Sequence, residues 1–168
     1  MKKIVIPIVA LLLAGVLFIS LPLYKRYRVG GFVREFNNIH MLSWSQLDPG
    51  YVRADSDQGS FALTSGNLSY ISGALTREGN MVYRFFRPKT DGLPQVVLTF
   101  PDGAVITVAD GGTDRSGRDL TYLLCTYQGK TRAFSVAGLG VYERVSVCAS
   151  PGGFGDMGEN RPLEQDSP

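Results

Sequence analysis

QVVLTFPDGAVITVA, residues 95–109, contains two runs rich in β-branched residues on either side of Pro-Asp-Gly. Such runs around a short glycine-containing connection are typical of a β-hairpin. LTYLLCTY (120–127) and KTRAFSVA (130–137) repeat the arrangement around Gln128-Gly129. Because short connections join antiparallel strands, residues 95–137 predict two hairpins of an antiparallel sheet.

Further short runs extend this pattern in both directions along the chain. They are enriched in aromatic and β-branched residues and separated by glycine, proline or serine, which indicates additional strands in one or two sheets. The predicted strands are SFALT (60–64), NLSYIS (67–72), NMVYRFFR (80–87) and VYERVSVCA (141–149).

An amphipathic helix is predicted before the strands, from Val29 to Leu47. Val29, Phe32, Val33 and Phe36 follow helical spacing, and we expect them to pack on the sheet. We expect a loosening at Gly30-Gly31, an end at Asp48-Pro49-Gly50, and Trp44 in the packed part of the helix. The fold class is therefore α+β, with a mainly antiparallel sheet domain.

An apolar segment, IVIPIVALLLAGVLFISLPL at 4–23, begins near the start of the sequence and carries no charge. Twenty helical residues at about 1.5 Å each span roughly the hydrocarbon thickness of a bilayer. The five residues after this segment are aromatic or basic, the types that are enriched in the headgroup layer of a membrane: Tyr24, Lys25, Arg26, Tyr27 and Arg28. This segment predicts a transmembrane helix whose amphipathic extension continues into the domain.

The alternatives to an anchor are a cleaved secretory signal and a buried core helix. The apolar run is longer than the usual signal core, and no small-residue cleavage site follows it, so we expect an uncleaved signal-anchor. A short basic start before a large domain favours a single-pass protein of the bacterial inner membrane with its C-terminal domain in the periplasm.

The charges divide the chain into three parts. Residues 1–28 carry five cations and no acid, residues 29–149 carry 11 cations and 11 acids, and residues 150–168 carry four acids and one cation. We predict membrane anchor and flanks at 1–28, a β-rich domain at 29–149, and a disordered Gly/Pro-rich tail at 150–168. A neutral domain gives no support for nucleic-acid binding.

Two cysteines, Cys125 and Cys148, fall in predicted strands. In an oxidising compartment they would form a disulfide between neighbouring strands. Two buried free thiols are the alternative.

Catalytic and metal-binding patterns are sparse. His40 is the single histidine, and no GxSxG, CxxC or HExxH motif is present. We therefore predict no enzyme, no cofactor and no metal site. An envelope hydrolase with paired carboxylates remains an alternative, because such pairs stand far apart in sequence.

The stretch MVYRFFRPK, residues 81–89, is the predicted binding surface. On a strand, Arg84 and Phe86 would share one face, with Arg87 beside them. Aromatic and guanidinium groups are enriched at protein interfaces, so we expect these residues to contact a protein partner.

The function that we expect is a non-enzymatic, membrane-anchored envelope protein whose exported domain binds another protein in a membrane-associated assembly. The order of apolar helix, amphipathic extension, antiparallel sheet and late cysteine pair resembles type IV pilins and pseudopilins, although no Gly-Phe processing junction or nearby glutamate is present. That resemblance implies a pilin-like subunit. A toxin-immunity or phage-exclusion factor is a further alternative.

Overall fold

The computed structural model describes residues 2–41, 52–154 and 160–163. Its first element, helix α1, runs from Lys2 to Glu35 and continues as a π-helix over Phe36–Met41. The predicted loosening at Gly30-Gly31 is wrong, because α1 passes through both glycines without a break. Trp44 and the predicted turn at 48–50 lie outside the described residues, as does the His40 side chain.

Amphipathic packing of the second half of α1 is confirmed. Val29, Phe32, Val33 and Phe36 are buried in the core at the spacing of one helix face. Within the described part of the chain, no helix is long and apolar enough to cross a membrane. The transmembrane character of α1 therefore stays a prediction.

The predicted antiparallel sheet is confirmed. Seven strands and the two-residue β8 form one sheet in the order β3-β7-β6-β5-β4-β1-β2-β8, in which all pairs are antiparallel. The strands are β1 (Arg53–Ser56), β2 (Gly59–Ala62), β3 (Met81–Arg84), β4 (Gln95–Thr99), β5 (Val105–Thr113), β6 (Asp119–Tyr127), β7 (Lys130–Ala137) and β8 (Arg161–Pro162).

Both predicted hairpins are present. Strands β4 and β5 pair on either side of residues 100–104, and β6 and β7 pair with Tyr127 opposite Lys130. Gln128 and Gly129 between them have φ of 48° and 72°. Two consecutive positive φ values are required by the type I′ turn that matches the twist of the strands.

Two predicted strands are helices instead. Helix α2 covers Ser65–Leu75, and the hydroxyl of Thr64 caps it by accepting a hydrogen bond from the backbone N–H of Asn67. Helix α3 covers Val141–Cys148. The prediction of strands at 67–72 and 141–149 is wrong because each segment buries one helical face on the sheet. The buried positions are Leu68, Ile71 and Leu75 in α2, and Val141, Val145 and Cys148 in α3.

The helices share one face of the sheet. Phe134, Leu123, Val108 and Val96 are cross-strand neighbours, so their side chains lie on the same face, and all belong to one core cluster with α1, α2 and α3. The ring of Phe32 packs on Phe134 with centroids 4.7 Å apart. The α1 helix is therefore part of the domain from Val29 onward.

The described part of the predicted disordered tail contacts the domain. Strand β8 pairs with β2, and the backbone N–H of Leu163 donates to the carbonyl of Ser60. Asn160 is buried. The tail thus differs from the prediction over residues 160–163, because a buried amide and two ladder residues fix it to the sheet edge.

Candidate functional site

The first feature of the candidate site is an exposed apolar stretch, residues 11–23 of α1. Its large side chains are 46% to 83% exposed, whereas the same helix is buried from Val29 on. Exposed apolar surface costs roughly 25 cal/mol per Å² relative to burial, and large contiguous patches mark interaction or membrane surfaces. The exposed side chains are Leu11, Leu13, Val16, Leu17, Phe18, Ile19, Leu21 and Leu23.

An aromatic and basic cluster, which we call the collar, follows directly on this stretch. It joins Tyr24, Lys25 and Arg28 of α1 to Tyr83 and Phe85 at the end of β3. Tyr24 stacks on Phe85 with centroids 5.9 Å apart, and the Lys25 Nζ lies 5.5 Å from the Phe85 ring centre. The Arg28 guanidinium lies 5.0 Å from the ring of Tyr83. These contacts fix the end of β3 beside the helix turn that leaves the domain.

The predicted binding residues lie next to the collar. The Nε of Arg84 donates to the Ser135 hydroxyl at 2.9 Å, and Arg87 is exposed. Phe86 is 88% exposed, the largest value among the exposed apolar side chains of the described residues. Strand β3 runs from buried Met81 to exposed Arg84 and ends there, so Phe86 and Arg87 follow the strand. The shared face of Arg84 and Phe86, and their role in binding, stay predictions.

Two grooves flank α1 at the collar. The first, of about 410 Å³, lies between Pro22, Lys25 and Val29 on the helix and Met81–Tyr83 on the edge strand. The second, of about 830 Å³, lies between α1 and the β6–β7 hairpin. There the Arg132 Nη2 and the Glu35 Oε1 form an ion pair at 2.5 Å.

The two cysteines are free and buried, and they lie on different elements. Cys125 is on β6 and Cys148 on α3, so the predicted placement of Cys148 in a strand is wrong and the predicted disulfide is not seen. Burial raises the pKa of the Cys148 thiol to about 11, and it raises the pKa of Cys125 further. Both thiols are therefore protonated at neutral pH and are poor nucleophiles.

Several acidic side chains of the domain accept hydrogen bonds from the backbone of turns and loops. Asp114 accepts from the guanidinium of Arg118, which lowers the pKa of that carboxyl together with backbone donors. Asp119 accepts from the backbone N–H groups of Leu139 and Gly140. In the part of the chain that the structure describes, no group of three or more His, Cys, Asp or Glu side chains could hold a metal ion.

A buried amide network, missed by sequence reasoning, holds the tail. The Asn67 Nδ2 donates to the Asn160 Oδ1 at 3.0 Å, and the Asn160 Nδ2 donates to the carbonyls of Cys148 and Ser150 at 2.6 and 2.8 Å. The backbone N–H of Phe154 donates to the Asn67 Oδ1. A polar residue in a Gly/Pro-rich tail gives no sequence signal for such burial.

The contact of Tyr24 and Lys25 with Phe85 within the collar was also not predictable, because the sequence shows no pattern that pairs α1 with the end of β3. Comparisons of this chain with protein-family profiles, with curated proteins and with solved structures return no match.

Proposed function

We propose that this protein is a non-enzymatic, single-pass membrane protein in which residues 4–23 anchor an α+β domain that works in a membrane-associated assembly. One observation carries the proposal. The exposed apolar stretch protrudes from the domain on the same continuous helix whose second half is buried in the core. A bilayer is the environment that an uncharged helix surface of this kind requires.

The described side chains of the exposed stretch begin at Leu11, and basic residues follow it from Lys25. This part alone is short for a membrane span. The sequence adds seven uncharged residues, 4–10, and α1 includes them. Twenty uncharged helical residues correspond to about 30 Å, the thickness of the hydrocarbon core.

Extraction of membranes tests the anchor. We expect the full chain, expressed in bacterial cells, to stay in the membrane pellet after an alkaline carbonate wash. Leu17→Glu combined with Phe18→Glu places two charges in the apolar stretch, and we expect this variant to move to the supernatant. As a matched control, Arg115→Glu and Ser116→Glu on the β5–β6 turn should leave the protein in the pellet. Recovery of the unmodified chain in the supernatant would overturn the proposal.

For the location, we propose a bacterial inner membrane with the domain in the periplasm. A C-terminal alkaline phosphatase fusion tests this orientation, because that enzyme folds to its active form after export. High phosphatase activity is expected. Fluorescence from a C-terminal green fluorescent protein fusion, together with an inactive phosphatase fusion, would place the domain on the cytoplasmic side.

The role in an assembly is proposed from the tether and the neutral charge of the domain. Cross-linking in intact cells, followed by purification in mild detergent, should return a specific protein partner that is lost when the Leu17→Glu, Phe18→Glu variant is used. If the unmodified chain and the Leu17→Glu, Phe18→Glu variant capture the same proteins, this would argue against a membrane-associated assembly.

A pilin-like subunit is a second candidate, and the division of α1 favours it. An exposed apolar half and a buried half that packs on an antiparallel sheet suit a helix that joins other copies in a filament. Cross-linking of a Phe18→Cys variant separates the two functions. Neighbouring helices of a filament would cross-link into a ladder of oligomers, whereas we expect a monomer if α1 is only a membrane anchor.

A further inference from the structure

The edge strand β3 lies beside the point where α1 leaves the domain. Strand β3 pairs with β7 and ends the sheet, and α1 crosses it through the contacts of Tyr24 and Arg28 with Tyr83 and Phe85. The segment after β3 therefore sits next to the last turn of the exposed apolar stretch.

We propose that residues 84–89, together with Lys25 and Arg26, form a membrane-binding surface that lies in the headgroup layer of a bilayer containing anionic phospholipid. This inference rests on the proposed anchor and adds the orientation of the domain on the membrane. It assigns to lipid the residues that the sequence predicted to contact a protein.

Two aromatic side chains are exposed beside the exit of α1 from the domain. Phe86 is 88% exposed and Phe85 is 48% exposed, on the side of the domain from which the apolar helix emerges. The stack with Tyr24 and the edge contact with Tyr83 at 5.4 Å hold Phe85 in place. Tyr24 and Tyr83 have the amphipathic rings that are typical of membrane–water interfaces, and the apolar rings of Phe85 and Phe86 suit the boundary between headgroups and acyl chains.

The surface around residues 84–89 is basic. Basic groups outnumber acids around the segment. Of the three ion pairs found among described residues, those of Arg53 and Arg118 lie elsewhere. The third joins Arg132 of the neighbouring strand β7 to Glu35 and uses none of the cations of the segment. Basic side chains near a membrane surface are attracted to anionic headgroups. The cations are Lys25, Arg26, Arg84, Arg87 and Lys89, and the neighbouring acids are Glu78 and Asp91.

Position favours lipid over a protein partner. Lys25 lines a small groove together with Arg84, Phe85 and Phe86, so the segment is continuous with the helix turn that enters the bilayer. A protein bound at Phe86 would have to occupy space at the membrane surface itself. The proposed anchor would therefore hold residues 84–89 in the headgroup layer, where aromatic and basic side chains are favoured.

A fluorescent label tests the surface. Cys125 and Cys148 are buried, so a cysteine in place of Phe86 can be labelled selectively with an environment-sensitive nitrobenzoxadiazole (NBD) group. The full chain is reconstituted into vesicles of phosphatidylcholine, with or without 30% phosphatidylglycerol. We expect a blue shift and a rise in emission, larger with phosphatidylglycerol. A label at Ser116, on the turn at the opposite end of the strands, should keep the spectrum of a solvated probe.

Flotation of the same samples separates the two proposals. A label at position 86 that stays solvated on protein that floats with the vesicles would overturn the surface and leave the anchor intact. Protein that does not float would overturn both. A label that is shielded in native membranes but solvated in pure lipid vesicles would assign the surface to a protein partner and overturn the inference.

A charge variant tests the guanidinium groups with the same label at position 86. Arg84→Gln with Arg87→Gln should remove the additional shift caused by phosphatidylglycerol at position 86. Arg115→Gln, which changes an exposed arginine far from the segment, should leave it unchanged. Equal shifts in both variants would contradict the role of these guanidinium groups.

Discussion

The ring of Tyr24 stacks on the ring of Phe85, with centroids 5.9 Å apart and planes that differ by 11°. Tyr24 belongs to the helix turn that follows the exposed apolar stretch, and Phe85 follows the edge strand β3. The core packing of Val29 and Phe32 sets the direction of the continuous helix α1, and the stack joins the turn that leaves the domain to the end of the edge strand.

The coupling between these two rings should be measurable. Because stacked aromatic pairs contribute about 0.5–1.5 kcal/mol beyond their buried area, a double-mutant cycle of Tyr24→Ala and Phe85→Ala should give a coupling free energy of that size. Urea unfolding in detergent measures it. The cycle of Tyr27→Ala with Phe85→Ala is the control, because Tyr27 lines the groove on the β6–β7 side of α1, and it should give a value near zero. Equal values in both cycles would argue against the stack.

The two halves of α1 should differ in their contribution to stability. Phe32 is 2% exposed and packs on Phe134, so Phe32→Ala should lower the free energy of unfolding by about 3–5 kcal/mol. Phe18→Ala removes the same side chain from the exposed stretch, and we expect less than about 0.5 kcal/mol in detergent. A large loss for Phe18→Ala would mean that this half packs within the domain.

The amide network should hold the tail. Asn160→Ala removes the acceptor of the Asn67 Nδ2 and the donor to the carbonyls of Cys148, which is buried, and Ser150, which is partly buried, so we expect a loss of about 1–3 kcal/mol in the free energy of unfolding. Limited proteolysis should then cut the chain after Ser150 faster. Asn38→Ala, at an exposed position, is the matched control and should change neither result.

Alkaline pH should destabilise the domain through its thiols. Burial raises the pKa of Cys148 from 9.0 to about 11, so the unfolded state releases this proton first as the pH rises. Stability is retained below pH 9 and falls between pH 9 and 11. Cys148→Ala should flatten this fall relative to the unmodified chain in urea titrations at each pH. An unchanged slope in Cys148→Ala would remove Cys148 as the cause.

The sheet was predictable where local turn chemistry and strand composition agree. Gln128-Gly129 adopts the two positive φ values that its hairpin requires, and the flanking strands pair as expected. In α3, the β-branched residues suggested a strand, but Val141, Val145 and Cys148 are buried at the spacing of a helix face. Tertiary packing on the sheet therefore outweighs the strand preference of that short segment.

The candidate site was only partly predictable for a different reason. The charges after the apolar segment and the aromatic residues around Phe86 are visible in the sequence. Their contact is not, because it depends on the path of α1 across the sheet to β3. Long-range contacts of this kind leave no periodic signal in a single sequence.

The depth of Phe18 in a bilayer tests the membrane anchor most directly. A nitroxide on Phe18→Cys can be placed selectively because both native cysteines are buried. In reconstituted vesicles, we predict frequent collisions of the nitroxide with oxygen, which dissolves in the hydrocarbon core, and few with a water-soluble nickel chelate. Nickel collisions as frequent as those of a nitroxide at Ser116→Cys would show that this helix face is in water and would contradict the anchor.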